Sequence, residues 1–143
     1  MRISTRGRYA LRAMVDLARH EAEGPVPRGA IAERERIPAL YLARLLAQLV
    51  RAELIRAERG PGGGYRLARP AAEIRALDIL RAVEPLDPTP CRPASGGKPC
   101  PRLPSCPSGY LWQQVGQAIS EVLERVTLQD LCAETLPRPS ARV

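Results

Sequence analysis

The sequence contains no phenylalanine, and four tyrosines and one tryptophan are its only aromatic residues. Its core must therefore be built from leucine, isoleucine, valine and alanine, a composition typical of helices. It also has a single histidine, and no paired carboxylates or nucleophile beside a base stand out. The sequence therefore lacks recognisable sets of residues for acid–base or nucleophilic catalysis, which argues against an enzyme.

Long hydrophobic runs are absent as well. No stretch approaches the ~20 apolar residues of a membrane-spanning helix, and no basic segment followed by an apolar one opens the chain as a targeting signal. We therefore expect a cytoplasmic protein with no membrane partner. Apolar residues still make up 45% of the 143 residues, which favours one folded domain, or a small domain with an arm, over disorder.

Charge is distributed unevenly along the chain. Residues 1–70 carry 14 basic and 7 acidic side chains, whereas residues 71–143 carry 8 of each, so the net charge of +7 lies entirely in the first half. Such asymmetry indicates a polyanionic partner, most commonly DNA. The alternative is a solvated surface in an arginine-rich protein.

Three helices are predicted in the first half. The first lies within residues 1–23, where Ser4 and Thr5 are good N-caps, and it stops at the Gly-Pro-Val-Pro run of residues 24–27. A short second helix is predicted from about Arg28 to Arg34. The third follows Pro38, which is well tolerated at a first helical position.

The third helix has two different faces. Four leucines at i, i+3, i+4 and i+7 form a buried stripe: Leu42, Leu45, Leu46 and Leu49. The opposite side is polar and cationic: Tyr41, Arg44, Gln48 and Arg51. This helix therefore has one face for the core and one for an external partner.

A hairpin with a glycine-rich tip is predicted next. Residues 54–58 and 65–68 alternate like short strands and flank the sequence Arg-Gly-Pro-Gly-Gly-Gly at 59–64. A phosphate-binding P-loop is rejected, because no Lys-Ser/Thr pair follows the glycines and a strand comes after them in place of a helix.

The order helix, helix, turn, helix and hairpin is the plan of a winged helix-turn-helix domain, over residues 1–84. In such a domain the second helix of the motif lies in the major groove of DNA, and the wing reaches the backbone or minor groove. The major-groove set is then Tyr41, Arg44, Gln48 and Arg51. The wing set is Arg59, Gly60, Pro61 and Gly62, and the phosphate set is Arg6, Arg8 and Arg28.

The second half is organised around a proline-rich segment. A short helix is predicted from Ile74 to Val83, and residues 85–109, which hold eight of the 15 prolines, are a loop. A long amphipathic helix starts at Tyr110, within the segment 110–136, and is the natural homodimer interface. Thr127 and Asp130 are a capping pair for a last short helix through Cys132. The tail 137–143 is expected to be disordered.

Three of the four cysteines lie in the proline-rich loop, as Cys91, Cys100 and Cys106. Clustered cysteines in a cytoplasmic protein indicate metal or redox chemistry, and their spacing lacks the close pairs of structural zinc sites. An iron–sulfur cluster with a fourth ligand from elsewhere fits better. The sequence offers His20, Cys132 and Asp87 for that position and does not decide between them.

Three segments carry a family resemblance: the opening MRISTRGRYAL, the segment Ile-Pro-Ala-Leu-Tyr-Leu at 37–42, and the wing Arg-Gly-Pro-Gly-Gly-Gly-Tyr at 59–65. Together they resemble the bacterial IscR/NsrR/CymR regulators of the Rrf2 family, from residue 1 to about 131. The resemblance implies a homodimeric winged-helix transcription factor, mostly helical, that binds a two-fold symmetric DNA operator.

By the same resemblance, Cys91, Cys100 and Cys106 are the cluster ligands, and a repressor that senses iron–sulfur, redox or nitric oxide status is expected. Two departures leave two-iron and four-iron clusters both open. The first cysteine gap is longer than in IscR, and Gly109 stands where IscR-type proteins carry a histidine ligand. The alternatives are a cluster-free regulator with a thiol or disulfide switch and, more remotely, a winged-helix protein-interaction module.

Overall fold

The structure, a computed structural model, describes residues 3–86, 91 and 97–136. In this part of the chain six helices and one hairpin follow one another in the predicted order. The helices are α1 (Thr5–His20), α2 (Arg28–Glu35), α3 (Ala39–Arg51), α4 (Ala76–Val83), α5 (Pro107–Arg125) and α6 (Leu128–Ala133), and the strands are β1 (Ile55–Glu58) and β2 (Gly64–Leu67). The mostly helical fold with a small β-hairpin wing is confirmed. The predicted tail at 137–143 lies outside the described residues.

Aliphatic side chains from α1, α3 and α4 form the core, as the lack of phenylalanine requires. The four leucines of the α3 stripe are at most 1% exposed. Met14 and Leu17 from α1 and Ile79 and Leu80 from α4 are completely buried with them. The period of 3.6 residues places all four leucines on one side of α3, so its other side is free to face outward.

The hairpin is tied to the helical core by a third short backbone segment. Strands β1 and β2 pair antiparallel, from Ile55 opposite Leu67 to Glu58 opposite Gly64. Val26, just before α2, adds a bridge in which its N–H and C=O both bond to Tyr65 at 2.9 Å. The wing therefore has a fixed position relative to α2 and α3.

The glycines of the wing have two separate roles. Gly60 and Gly62 adopt positive φ angles of 99° and 73°, which turn the chain at the tip. At Gly64 a Cβ atom would collide with the Val26 carbonyl, so the close approach of the two backbones requires glycine there. The run of three glycines thus combines a turn with a tight backbone contact.

A buried acidic residue joins α1 to α2. Asp16 is 4% exposed and is the only buried charged residue in the described part of the chain. Arg34 of α2 donates from Nε and Nη2 to its two carboxylate oxygens, each at 2.8 Å. These hydrogen bonds raise the pKa of Arg34. The bidentate pair fixes the packing of the first two helices.

The C-terminal helices follow the predicted order with changes of boundary, and α4 begins at Ala76, two residues after the predicted Ile74. Helix α5 begins at Pro107, three residues before the predicted start, and a 3₁₀ turn at Leu103–Ser105 precedes it. The end of the predicted loop is therefore helical, because proline at a first helical position lacks only an N–H that would be unpaired anyway.

The predicted cap of α6 is confirmed. The Thr127 hydroxyl accepts a hydrogen bond from the Asp130 N–H at 3.1 Å, and the Asp130 carboxylate accepts one from the Thr127 N–H at 2.9 Å. Leu128 is fully buried behind this cap, among the core residues. The cap and this buried leucine anchor the far end of α5 to the winged domain.

Candidate nucleic-acid interface and cysteine segment

The outward side of α3 forms a shallow cationic depression. A surface concavity of about 380 Å³ is lined by Arg6, Tyr41, Arg44, Leu45, Ala47, Gln48 and Arg51. It contains all four residues predicted to face the major groove, together with Arg6 from the first turn of α1. The structure thus brings together residues from two helices that are far apart in sequence.

An aromatic and ionic contact holds Tyr41 on this surface. The rings of Tyr9 and Tyr41 meet edge to face, with centroids 5.7 Å apart and planes at 87°. The Arg12 guanidinium lies over the Tyr9 ring at 5.4 Å and also donates to the Glu35 carboxylate at 3.0 Å. Sequence reasoning missed Tyr9 and Arg12 as supports of α3, because only the packing of α1 against α2 and α3 connects them to it.

The wing presents a second cationic surface. All four residues of the predicted wing set are exposed: Arg59, Gly60, Pro61 and Gly62. Arg59 lines a broad depression together with Arg56 and Arg69, two further wing cations that the sequence reasoning did not select. The ion pair between Arg66 and Glu58, at 2.9 Å, joins the two strands behind the tip.

The predicted phosphate contacts lie on exposed helix starts. Arg6 and Arg8 are in the first turn of α1, and Arg28 is the first residue of α2. All three are exposed. Cations at the start of a helix oppose its dipole and gain little from intrahelical pairing, which fits side chains that meet an anionic partner.

One apolar residue breaks the polar character of the α3 face. Leu40 is 82% exposed, the highest exposure of any large hydrophobic side chain in the described residues. It lies on the same line of the helix as Arg44, Ala47 and Arg51, at i, i+4, i+7 and i+11. Sequence reasoning assigned no role to Leu40. Its register with Arg44 was the available signal.

Backbone hydrogen bonds connect Cys91, Cys100 and the turn that precedes Cys106. The Cys100 N–H donates to the Cys91 carbonyl at 3.0 Å, and the Leu103 N–H donates to the Cys100 carbonyl at 3.0 Å. Cys106 follows as the N-cap of α5, and its carbonyl accepts from the Gly109 N–H at 3.0 Å. All three thiols are free.

The surroundings of Cys106 favour the thiolate form of its side chain. A hydrogen bond with the Ser108 hydroxyl and the backbone N–H groups of Gly109 and Ser108 at the start of α5 lower its pKa. Thiolates are the form that binds metals and attacks disulfides. The chemistry of Cys106 therefore suits a thiolate ligand or a reactive thiol.

The candidates for a fourth ligand lie elsewhere. His20 is at the end of α1, with Nδ1 2.7 Å from the Asp16 carbonyl oxygen. Cys132 lies half-buried on α6, with Sγ 3.9 Å from the Val15 carbonyl oxygen, and burial raises its pKa. Asp87 lies outside the described residues. Within residues 3–86, 91 and 97–136, no three His, Cys, Asp or Glu side chains gather closely enough to hold a metal ion.

Helix α5 carries an apolar groove on its surface. Its lining is Val115, Ala118, Ile119, Val122 and Leu123, and large apolar side chains near its start, including Leu111 and Trp112, are also exposed. Among the described helices none is long and apolar enough to span a bilayer. Among the residues that the structure describes, no segment covers this groove.

Comparison with known proteins places the chain among bacterial regulators. A family model described as "Rrf2: Iron-dependent Transcriptional regulator" matches residues 3–134. The transcriptional regulator IscR of Sodalis glossinidius is 40% identical over 132 residues, covering 92% of this chain and 78% of IscR.

Two solved structures are similar over most of their length. IscR of T. potens has a TM-score of 0.77 at 34% identity, covering 100% of this chain and 94% of that structure. CymR, the global cysteine regulator of B. subtilis, has a TM-score of 0.77 at 35% identity, covering 95% of this chain and 99% of its own. Both similarities cover nearly the whole chain and not the helix-turn-helix alone.

Proposed function

We propose that this chain, which belongs to the Rrf2 family of transcriptional regulators, represses its targets as a homodimer bound to a two-fold symmetric operator. The chain is a regulator of the IscR/CymR type, a class without enzymatic activity. The observation that carries the proposal is the α3 surface, on which Arg44, Gln48 and Arg51 meet Arg6 above four buried leucines.

The two cationic surfaces suit the two grooves of DNA. Helix α3 would enter the major groove, where arginine and glutamine make paired hydrogen bonds to base edges. The exposed tip around Arg59 would reach the minor groove, whose narrow A·T-rich segments attract arginine. Arg6, Arg8 and Arg28 would contact phosphates and set the orientation of the domain.

The wing role predicts a loss of affinity for Arg59→Ala. We expect operator binding to weaken by about 5- to 150-fold, from the ~1–3 kcal/mol of a specific arginine contact. The operator is selected in vitro from a pool of random duplexes. Fluorescence anisotropy at several salt concentrations then measures the loss of affinity. The substitution removes one cation from each protomer, so the slope of log K against log salt should also fall, by ~0.9 for each phosphate charge that the two arginines neutralise.

The matched control is Arg81→Ala, which removes the same charge from an exposed position on α4, outside both depressions. It is expected to leave affinity almost unchanged. Equal binding by Arg59→Ala and Arg81→Ala would contradict the wing assignment. Failure of the wild-type chain to select any duplex would contradict the DNA-binding proposal itself.

The cysteine segment supports regulation by an iron–sulfur cluster. Cys91, Cys100 and Cys106 would hold it, and such a cluster responds to oxidants, nitric oxide and iron supply. The lowered pKa of Cys106 favours the thiolate that ligation needs. The segment leads directly into α5, so a change in its fold would reach the dimer interface and the spacing of the two DNA-reading domains.

An absorption spectrum of protein purified without oxygen tests the cluster. We expect visible bands near ~400 nm with iron and sulfide in the same sample, and their loss in the Cys91→Ala, Cys100→Ala and Cys106→Ala variants. Ser105→Ala is the matched control, because it changes an exposed side chain of the same segment without removing a thiol, and it should keep the colour. A sample that stays iron-free after reconstitution would contradict the proposal.

A thiol switch is the second candidate, favoured by the contact between Cys91 and Cys100. The Cys100 N–H donates to the Cys91 carbonyl at 3.0 Å, so the two backbones are in direct contact, and a disulfide joins residues whose Cα atoms lie ~4.4–6.8 Å apart. Hydrogen peroxide would accept the two electrons and two protons released when that bond forms. Mass spectrometry of the peroxide-treated, iron-free protein would then find these two cysteines linked.

A further inference from the structure

Leu40 is the one exposed leucine of α3. Its side chain is 82% accessible, although its helix buries four other leucines almost completely. Water disfavours so large an apolar surface. A leucine exposed in line with arginines on the outward side of a helix therefore points to an apolar contact made only in a complex.

The position of Leu40 indicates what that contact is. It is the second residue of α3, and it lies in line with Arg44 and Arg51 on the outward face. The N-terminal residues of a recognition helix are those that contact base edges. The arginines that continue this face favour a polyanion over an apolar protein surface, so Leu40 is continuous with the proposed DNA interface.

The chemistry of leucine restricts which base it can read. The major-groove edges of guanine, cytosine and adenine present hydrogen-bonding groups, which an apolar side chain would leave unpaired. Thymine alone presents a C5-methyl group there, and apolar side chains recognise it by contact. Leucine would thus favour thymine and disfavour the other three bases at one position.

We propose that Leu40 is a specificity-determining residue that contacts the C5-methyl group of a thymine in the major groove of each operator half-site. The inference rests on the proposed DNA-binding function, and it adds a base preference that the hydrogen-bonding residues of α3 do not supply. Because the regulator is proposed to be two-fold symmetric, the thymine would occur twice, at equivalent positions of the two half-sites.

Replacement of thymine by uracil tests the contact, because it removes the methyl group and leaves the base pair unchanged. Each thymine of an in vitro selected operator is replaced in turn, symmetrically in both half-sites. We expect one position at which uracil weakens wild-type binding by about threefold to tenfold per half-site. Leu40→Ala should weaken binding to the thymine operator by a similar factor and no longer distinguish thymine from uracil.

The matched control is Leu136→Ala, the same substitution at an exposed leucine far from α3 in sequence. It should keep the full discrimination between the two operators. Discrimination that survives in Leu40→Ala, or wild-type binding that no uracil weakens, would overturn the role of Leu40 while DNA binding stands. Absence of wild-type binding to every duplex would overturn this inference and the proposed function together.

Discussion

The Val122→Asp variant is expected to run as a monomer, at 15.7 kDa in place of about twice that mass. Val122 is 57% exposed on the apolar groove of α5, so the substitution can be accommodated in the isolated chain. In a two-fold interface each substitution appears twice, so both copies would bury a carboxylate against the apolar groove of α5. A buried charge without a partner costs several kcal/mol.

Loss of the dimer is expected to weaken operator binding. A second DNA-reading domain held by the first raises avidity by about 10²- to 10⁴-fold, and a monomer forfeits that gain. Analytical ultracentrifugation gives the mass, and anisotropy with a full operator and a single half-site gives the two affinities. The variant should bind the full operator weakly and the half-site like the wild type.

The control is Gln113→Asp, which introduces the same carboxylate on α5 at an exposed residue outside the groove. It should stay dimeric and bind the full operator with unchanged affinity. A Val122→Asp protein that keeps the dimer mass would show that α5 is not the interface. Helical content measured by circular dichroism distinguishes a folded monomer from an unfolded chain.

The regular features of the fold follow directly from local sequence. The leucines of α3 repeat with the helical period, and Thr127 and Asp130 carry the spacing of a capping pair. Both depend on residues at most seven positions apart, so their side chains meet whenever the helix forms. The placement of Arg44, Gln48 and Arg51 on the outward face follows from the same periodicity.

Contacts across elements could not be predicted in this way. Tyr9 supports Tyr41 only because α1 packs beside α3, and Gly64 is needed only because the Val26 backbone passes next to it. The exposure of Leu40 on the outward side of α3 was not predicted. The start of α5 at Pro107 was missed, because proline is compatible with both a loop and a first helical turn.

Arg34→Ala is expected to lower the free energy of unfolding by about 2–4 kcal/mol. Asp16 keeps 3% of its side chain exposed, and Arg34 is its bidentate partner. Without the guanidinium, the carboxylate is buried beside His20, whose Nδ1 lies 3.6 Å from it. Breaking a buried pair from one side costs about 3–5 kcal/mol, and the 38% exposure of Arg34 reduces that figure.

Urea unfolding followed by circular dichroism measures this loss, with Arg28→Ala as the control on the same helix. Arg28 is exposed at the first position of α2, so its removal should change stability by less than about 0.5 kcal/mol. The stability of Arg34→Lys should fall between those of the two alanine variants, because an ammonium group cannot donate in parallel to both carboxylate oxygens.

If the buried charge is the cause, Arg34→Ala should lower the free energy of unfolding much less in an Asp16→Asn background, where no carboxylate is left unpaired. An equal cost in both backgrounds would assign the effect to lost packing between α1 and α2.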